Sequence, residues 1–330
     1  MTRLSEDDLI ARYFAPLAGP GGLGLHDDVA VLAPPSGMEL VLTKDALVAG
    51  VHFFADDPPD AIARKSLRVN LSDLAAKGAE PAGYLLALAL PPDWTEDWLA
   101  AFARGLGEDG AAFRFPLLGG DTVKLPGPLT ISVTALGFCP AGDMVPRTGV
   151  EPGDRIYVSG TIGDAALGLA LRLARPEDAG WIAALSDEAK AFLRARYLEP
   201  QPRLALRKAL RAYASGGMDV SDGFVGDLTK MLRVSDCGAD IDMAKLPLSP
   251  AARAACAVAP GLFDAIATGG DDYEIIASVP ESQGEAFEAA ARTMGVAVTQ
   301  VGRAHEGQGA TFRDASGRAL EFGKGSFSHF

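Results

Sequence analysis

Between about residue 20 and residue 140 short apolar runs alternate with stretches of helical periodicity. Runs at 28–32, 39–42, 84–90, 117–118 and 129–138 predict strands, and the segments 61–77 and around 95–105 predict helices. Residues 140–153 carry three prolines and three glycines and read as a domain connection. A second mixed unit follows. It opens with a strand at 155–158, then Gly160 and Gly163 lead into an Ala-rich helix at 165–173. Further strands are predicted near 218–220, 266–268, 274–279 and 296–301, and helices near 189–197, 202–213 and 224–235. The expectation is an α/β (α+β) chain in two domains, 1–140 and 150–330.

Length supports two domains, because 330 residues exceed the roughly 100–200 that one ordinary domain holds. Apolar residues at 48% and charged residues at 22% suffice to close cores and keep a wet surface. The net charge of −13 argues against a protein that neutralises a nucleic-acid backbone. It leaves room for anionic small molecules, provided metal ions stand between protein carboxylates and phosphate oxygens. Cys139, Cys237 and Cys256 lack CxxC spacing, and His26, His52, His305 and His329 form no HExxH pair. Neither a disulfide framework nor a transition-metal site is expected, and a reducing cytoplasm fits. Ser5 followed by Glu6, Asp7 and Asp8 reads as an N-cap with an acidic first turn rather than a secretory leader. The apolar run near 85–90 is far below the ~20 residues of a membrane helix.

Candidate chemistry lies at the ends of the apolar runs. Carboxylates recur there with glycine or small polar neighbours: Asp27-Asp28, Thr43-Lys44-Asp45, Gly119-Gly120-Asp121, Asp219-Val220-Ser221-Asp222-Gly223 and Gly269-Gly270-Asp271-Asp272. An Asp just past a strand points to the sheet edge where ligands collect, and glycine permits close approach. Each site taken singly is equally compatible with ordinary turn chemistry. Within the helix 61–77, Leu67, Leu71 and Leu74 make the buried stripe, while Ser66, Asn70, Asp73 and Lys77 make a polar one. Ser, Asn and Asp are poor interior helix formers, so this stripe reads either as a solvated face or as a functional one. Mg²⁺ prefers hard oxygen ligands and works through a few carboxylates, waters and substrate phosphates. No GxxxxGK[ST] is present, nor the HRD and DFG motifs of protein kinases. The GxGxxG match at 105–110 follows a predicted helix and is expected to be a helix-ending loop.

These residues, with Val48 to Phe53, the run from Asn70 to Pro81, Pro146-Arg147-Thr148-Gly149, Tyr273-Glu274 and the tail Phe327-Ser328-His329-Phe330, resemble the thiamine-monophosphate kinase family. That family sits in a superfamily with aminoimidazole ribonucleotide synthetase, selenophosphate synthetase and the hydrogenase maturation dehydratase, and the resemblance covers nearly the whole chain. It implies an aminoimidazole-ribonucleotide-synthetase-like fold: an N-terminal ATP/Mg-binding and dimerisation domain whose sheet pairs across a homodimer, and a C-terminal α/β domain completing an active-site cleft. It further implies Mg²⁺-dependent transfer of the ATP γ-phosphoryl to thiamine monophosphate, giving thiamine diphosphate and ADP. Since that acceptor phosphate is already ionised near neutral pH and no Ser/His or Cys/His pairing is present, the transfer is expected to be direct, with no residue acting as general base or nucleophile. Carried over residue by residue, Asp28, Thr43, Asp45, Asp73, Asp121, Asp219 and Asp222 handle Mg²⁺. Gly120, Asp121, Arg147 and Ser221 contact ATP, and His52, Asp271 and Phe327 face the thiamine substrate.

The residues alone leave some of these roles open. Arg147 fits a phosphate or an ordinary surface loop, His52 a ligand or a structural contact, and Phe327 a stacking partner or a terminal anchor. Lys44 stands where many family members carry a small hydroxyl residue and is left out of the metal set; Asp271 stands where Glu is frequent. The chain has no Cys before Cys139 and ends in Phe330, which disfavours the selenophosphate and hydrogenase branches. A nucleotide-sensing protein without turnover is the alternative from another class.

Overall fold

The structure, a computed structural model, describes residues 5–323. It divides into two compact units: residues up to Leu74 with Ala79–Gly142, and Ala75–Gly78 with the chain from Asp143 onward.

The first unit begins with α1 (Glu6–Leu9), where the Ser5 hydroxyl accepts the Asp8 N–H at 3.2 Å as its acidic first turn leads one to expect. Its elements are then β1 (Met38–Val48), α2 (Pro59–Ala76), β2 (Glu80–Leu90), α3 (Glu96–Phe113), β3 (Leu117–Lys124) and β4 (Thr130–Pro140). The strands order as β1-β4-β2-β3, antiparallel except for the parallel β2/β3 pair. Leu67, Leu71 and Leu74 of α2 are fully buried, which is the predicted apolar stripe. The segment 28–32, predicted to be extended, joins no sheet. Its Val29 and Val31 are each 60% exposed, and among the described residues no strand pairs with it.

The GxGxxG match lies inside α3 and does not end it. A side chain at Gly105 would meet the Asp60 carbonyl at 2.5 Å, so the glycine serves close approach of α3 to the start of α2. The same two helices are joined by the Arg68 guanidinium, which donates to both oxygens of buried Asp109 at 2.6 and 2.9 Å. The helix stops at Arg114, in the left-handed region with φ 53°.

The second unit runs β5 (Arg155–Ser159), α4 (Asp164–Leu173), α5 (Ala179–Ala184), α6 (Asp187–Leu198), α7 (Arg207–Tyr213), β6 (Gly216–Asp219), α8 (Phe224–Val234), β7 (Gly238–Asp242), α9 (Pro250–Val258), α10 (Leu262–Thr268), β8 (Ile275–Val279), α11 (Gly284–Thr293), β9 (Val298–His305), β10 (Gly309–Arg313) and β11 (Ala319–Leu320). Its mixed sheet is ordered β11-β10-β7-β9-β5-β8-β6. Ile156, Val158, Phe224, Leu228, Met231, Ile276 and Val301 lie in its core. Residues 266–268, predicted as a strand, form the end of α10. Ile266 and Ala267 are buried on that helix, and a three-residue apolar run has no periodicity to tell the two states apart. Strand β7 was not predicted, because its Ala-Asp-Ile-Asp core interrupts the apolar pattern.

Candidate active site

In the first unit the strand alternation puts Thr43 and Asp45 on the side of β1 that faces α2, and Lys44 on the other. The polar stripe of α2 is therefore not a solvated face. Asn70 is fully buried; its Nδ2 donates to the Ser66 carbonyl at 3.1 Å and its Oδ1 accepts the Asp45 N–H at 3.2 Å. The Thr43 hydroxyl donates to Asp73 Oδ2 at 2.5 Å. Helix and strand thus hold Thr43, Asp45 and Asp73 together, and the helix-weak residues are the ones that make the joint. Lys44 extends from the opposite face, with its Nζ 3.4 Å from the Thr134 hydroxyl. That separation is a physical reason for its absence from the set around Asp45.

A second set lines a cavity of about 710 Å³ in the same unit, where Asp27, Asp28, Gly120 and Asp121 share the wall with Val29 and Leu118. Asp28 and Asp121 are exposed. A side chain at Gly120 would sit 1.9 Å from the Leu86 carbonyl, so only glycine lets β3 lie against β2 here. Asp45 pairs across the sheet with Val133, which pairs with Leu86, whereas Asp121 pairs with Ala87, which pairs with Ser132. The register therefore turns the side chains of Asp45 and Asp121 to opposite faces of the sheet, Asp45 toward α2 and Asp121 away from it. In line with this, among the described residues no three Asp, Glu, His or Cys side chains converge in a way that could hold a metal ion. All the donors are hard oxygens, the set that suits Mg²⁺ when phosphates and waters complete its shell.

His52 closes a turn after β1: its Nδ1 accepts the Val48 N–H at 3.0 Å, and its carbonyl accepts from Lys65 Nζ at 3.0 Å. An accepting Nδ1 places the proton of the neutral ring on Nε2.

The second unit holds the other set. Arg147 is exposed, and its carbonyl accepts the Ser235 hydroxyl at 3.3 Å. Asp219 ends β6 and is 6% exposed. The turn beyond it is cross-tied to the 269–274 loop: Val220 N–H donates to the Glu274 carbonyl at 2.8 Å, Tyr273 N–H to the Val220 carbonyl at 2.8 Å, and Asp271 N–H to the Ser221 carbonyl at 2.9 Å. Asp271 and Tyr273 are left-handed, with φ 73° and 51°, a conformation that non-glycine residues hold only when their surroundings impose it. Asp272 supplies part of that constraint, accepting the Gly163 and Ala165 N–H groups at 2.6 and 3.2 Å at the start of α4. Its full burial pushes its carboxyl well above the ordinary value. Glu274, 0% exposed, accepts the Ser159 hydroxyl at 2.6 Å, Arg196 at 2.8 Å and the Arg203 guanidinium. Asp227 takes the Ser221 and Asp222 N–H groups. Burial raises its carboxyl, against the opposing pull of Lys230.

Asp227 and Lys230 escaped the sequence reading, whereas Asp272 and Glu274 stand in its motifs without an assigned role. Asp227 looks like an ordinary acidic residue of a helix first turn, and Glu274 like the polar edge of a strand. Phe327 lies outside the described residues.

Comparison with known proteins agrees with this architecture. Residues 26–139 match the family model for the AIR synthase related protein, N-terminal domain, and residues 151–315 match that for the C-terminal domain. The chain is thus an AIR-synthase-related protein of two such domains, mixed in helix and sheet. It is 47% identical over 310 residues to the thiamine-monophosphate kinase of Caulobacter vibrioides, covering 92% of this chain and 85% of that one. The crystal structure of thiamine-monophosphate kinase from Stenotrophomonas maltophilia superposes with TM-score 0.78 at 38% identity, covering 90% of this chain and 91% of that chain. The structure of AaThiL complexed with AMPPCP and TMP superposes with TM-score 0.78 at 30% identity, over 100% and 99% of the two chains. Within its class, this chain belongs to the thiamine-monophosphate kinase family.

Proposed function

We propose that this chain transfers the terminal phosphoryl of ATP to thiamine monophosphate, forming thiamine diphosphate and ADP. The observation that carries the reading is 47% identity over 92% of the chain to a thiamine-monophosphate kinase, in a protein whose motif residues Asp28, Gly120 and Asp121 share a cavity wall.

The finer assignments rest on the family resemblance, and the arrangement of the described residues supports part of them. Thr43, Asp45, Asp73, Asp28 and Asp121 present oxygens in the first unit, and Asp219 and Asp222 in the second. Bound there, Mg²⁺ would neutralise the polyphosphate and spread the charge of an in-line transfer. Because Asp45 and Asp121 face opposite sides of the sheet, they serve different ions or different phosphates. Gly120, Arg147 and Ser221 are assigned to ATP, the arginine through its fork of donors. His52, Asp271 and Phe327 are assigned to the thiamine substrate. His52 accepts the Val48 N–H through Nδ1, which fixes the orientation of its ring.

No protein base or nucleophile is required. The acceptor is a phosphate monoester whose second pKa is about 6, so its oxygen is already ionised near neutral pH. Transfer is therefore direct within a ternary complex, and a chiral γ-phosphoryl emerges inverted after one displacement. Assay of the purified protein with ATP, Mg²⁺ and a panel of acceptors tests the reading: thiamine monophosphate is converted and free thiamine is not. Comparable turnover of unphosphorylated thiamine, or a phosphoaspartate trapped without acceptor, would overturn it.

The homodimer rests on the sheet of the first unit. On the face turned away from α2, Leu40 is 38%, Leu42 59% and Leu85 38% exposed, and Leu40 and Leu42 pair with Phe138 and Leu136. A contiguous apolar sheet face of this kind marks an interface. Sedimentation should give a dimer, and Leu42→Asp should weaken it on the order of tenfold or more; a wild-type monomer at micromolar concentration would count against it. Among the described residues no helix is long and apolar enough to cross a membrane. A cytoplasmic location, without membrane or nucleic-acid partners, fits an acidic enzyme using ATP.

A further inference from the structure

The turn Ser221-Asp222 is held by a carboxylate to which the reading above gives no role. Oδ2 of Asp227 accepts both the Ser221 N–H at 2.9 Å and the Asp222 N–H at 2.8 Å. Its Oδ1 accepts from Lys230 Nζ at 3.0 Å, and the same ammonium contacts Asp222 Oδ2. Asp227 is 1% exposed. Between the turn and α8 stands Gly223 at φ 119°, where a side chain would meet the Thr268 carbonyl at 2.4 Å. Ser221 is fixed on its other side by its carbonyl, which accepts the Asp271 N–H.

A helix cap would not explain this arrangement. The N-cap of α8 is Gly223, and a capping carboxylate takes N–H groups of the helix's own first turn. Asp227 instead reaches back past the cap to the two residues that precede it. One oxygen shared by two successive N–H groups fixes the orientation of both peptide planes, and with them the directions in which the Ser221 and Asp222 side chains leave the backbone. Lys230 adds a second hold on the Asp222 carboxylate.

We propose that Asp227, assisted by Lys230, is a positioning residue that sets the Ser221-Asp222 turn for the nucleotide and its Mg²⁺. The proposal rests on the assignment of Ser221 to ATP and Asp222 to Mg²⁺. In Asp227→Asn the shape is kept, but the amide must turn a donor toward either Lys230 or the two N–H groups, so the clamp fails on one side.

Steady-state kinetics on the full chain test it, with thermal melting recorded for each variant. Asp227→Asn should raise KM for ATP and the midpoint of Mg²⁺ activation by about tenfold, while KM for thiamine monophosphate stays within about twofold. Lys230→Met should raise the Mg²⁺ midpoint by a smaller factor, and Lys230→Arg should restore it. Variants that lower the melting temperature or the active fraction but leave both constants unmoved would reduce Asp227 and Lys230 to structural residues. If Asp227→Asn does not fold, the Lys230 pair decides alone by the same two constants. Ser221→Ala and Asp222→Asn run alongside: if they raise the constants while the Asp227 and Lys230 variants do not, the positioning role falls. If they too leave the constants unchanged, the site assignment falls and the proposal with it.

Discussion

In the first unit Asp28 and Asp121 stand exposed on a cavity wall, whereas in the second Asp227, Asp272 and Glu274 are almost wholly buried and each is gripped by at least two donors. An exposed carboxylate retains free lone pairs for an incoming ion or phosphate. A buried one has spent them on the protein, and its removal leaves stranded donors. On the proposed reading, the exposed acids of the first unit present ligands, and the buried acids of the second shape the loops that carry a few presented groups. Asp45 and Asp73 lie between these extremes, half-buried yet each joined to the α2/β1 junction.

Substitutions in the two units should fail in different ways. The largest effect is expected in the first, where Asp45→Asn, Asp73→Asn or Asp121→Asn should lower turnover by at least about a hundredfold with melting little changed. Unfolding of Asp73→Asn, or unaltered activity and Mg²⁺ dependence, would break the contrast at its strongest point. In the second unit Glu274→Gln removes the charge facing Arg196 and Arg203 and should lower stability by roughly 3 kcal/mol in denaturant titration. A stability change below about 1 kcal/mol would mean that the buried cluster is not what holds the 269–274 loop.

The smallest effect concerns pH. Asp164 is raised above its ordinary value of 3.8 by burial, against hydrogen bonds from Ser249 and Thr161 at 2.5 Å each, with Arg196 pulling it down and Glu274 pushing it up. An acid whose folded value is raised stabilises the fold while protonated. That contribution is whole below 3.8 and is lost as pH rises through the raised folded value. In Asp164→Asn both hydroxyl partners can rotate to suit the amide, so the melting temperature should fall less steeply with rising pH above 4 than in the wild type. An identical slope would show that Asp164 does not titrate in that window.

Periodicity and turn chemistry made much of this protein legible from its sequence. The buried stripe of α2, the Ser5 cap and the helix into which Gly160 and Gly163 lead follow from local rules that act over a few residues. The motif residues from Asp28 to Asp271 were likewise visible, since carboxylates beside glycines at the ends of apolar runs are a local pattern. Only the tertiary structure decided what those carboxylates do for one another. That Asn70 is a buried strut under Asp45, that Asp45 and Asp121 turn to opposite faces of the sheet, and that Asp227 holds the turn at 221–222 depend on strand register and on which helix covers which face. Residues 266–268 became helix for the same reason, because a short apolar run satisfies either period and burial against the second core selects one. Sequence spacing fixes the chemistry a residue carries, but its partners lie 25 to 115 positions away, as Asp45 with Asn70 and Ser159 with Glu274 show, and only packing brings them into contact.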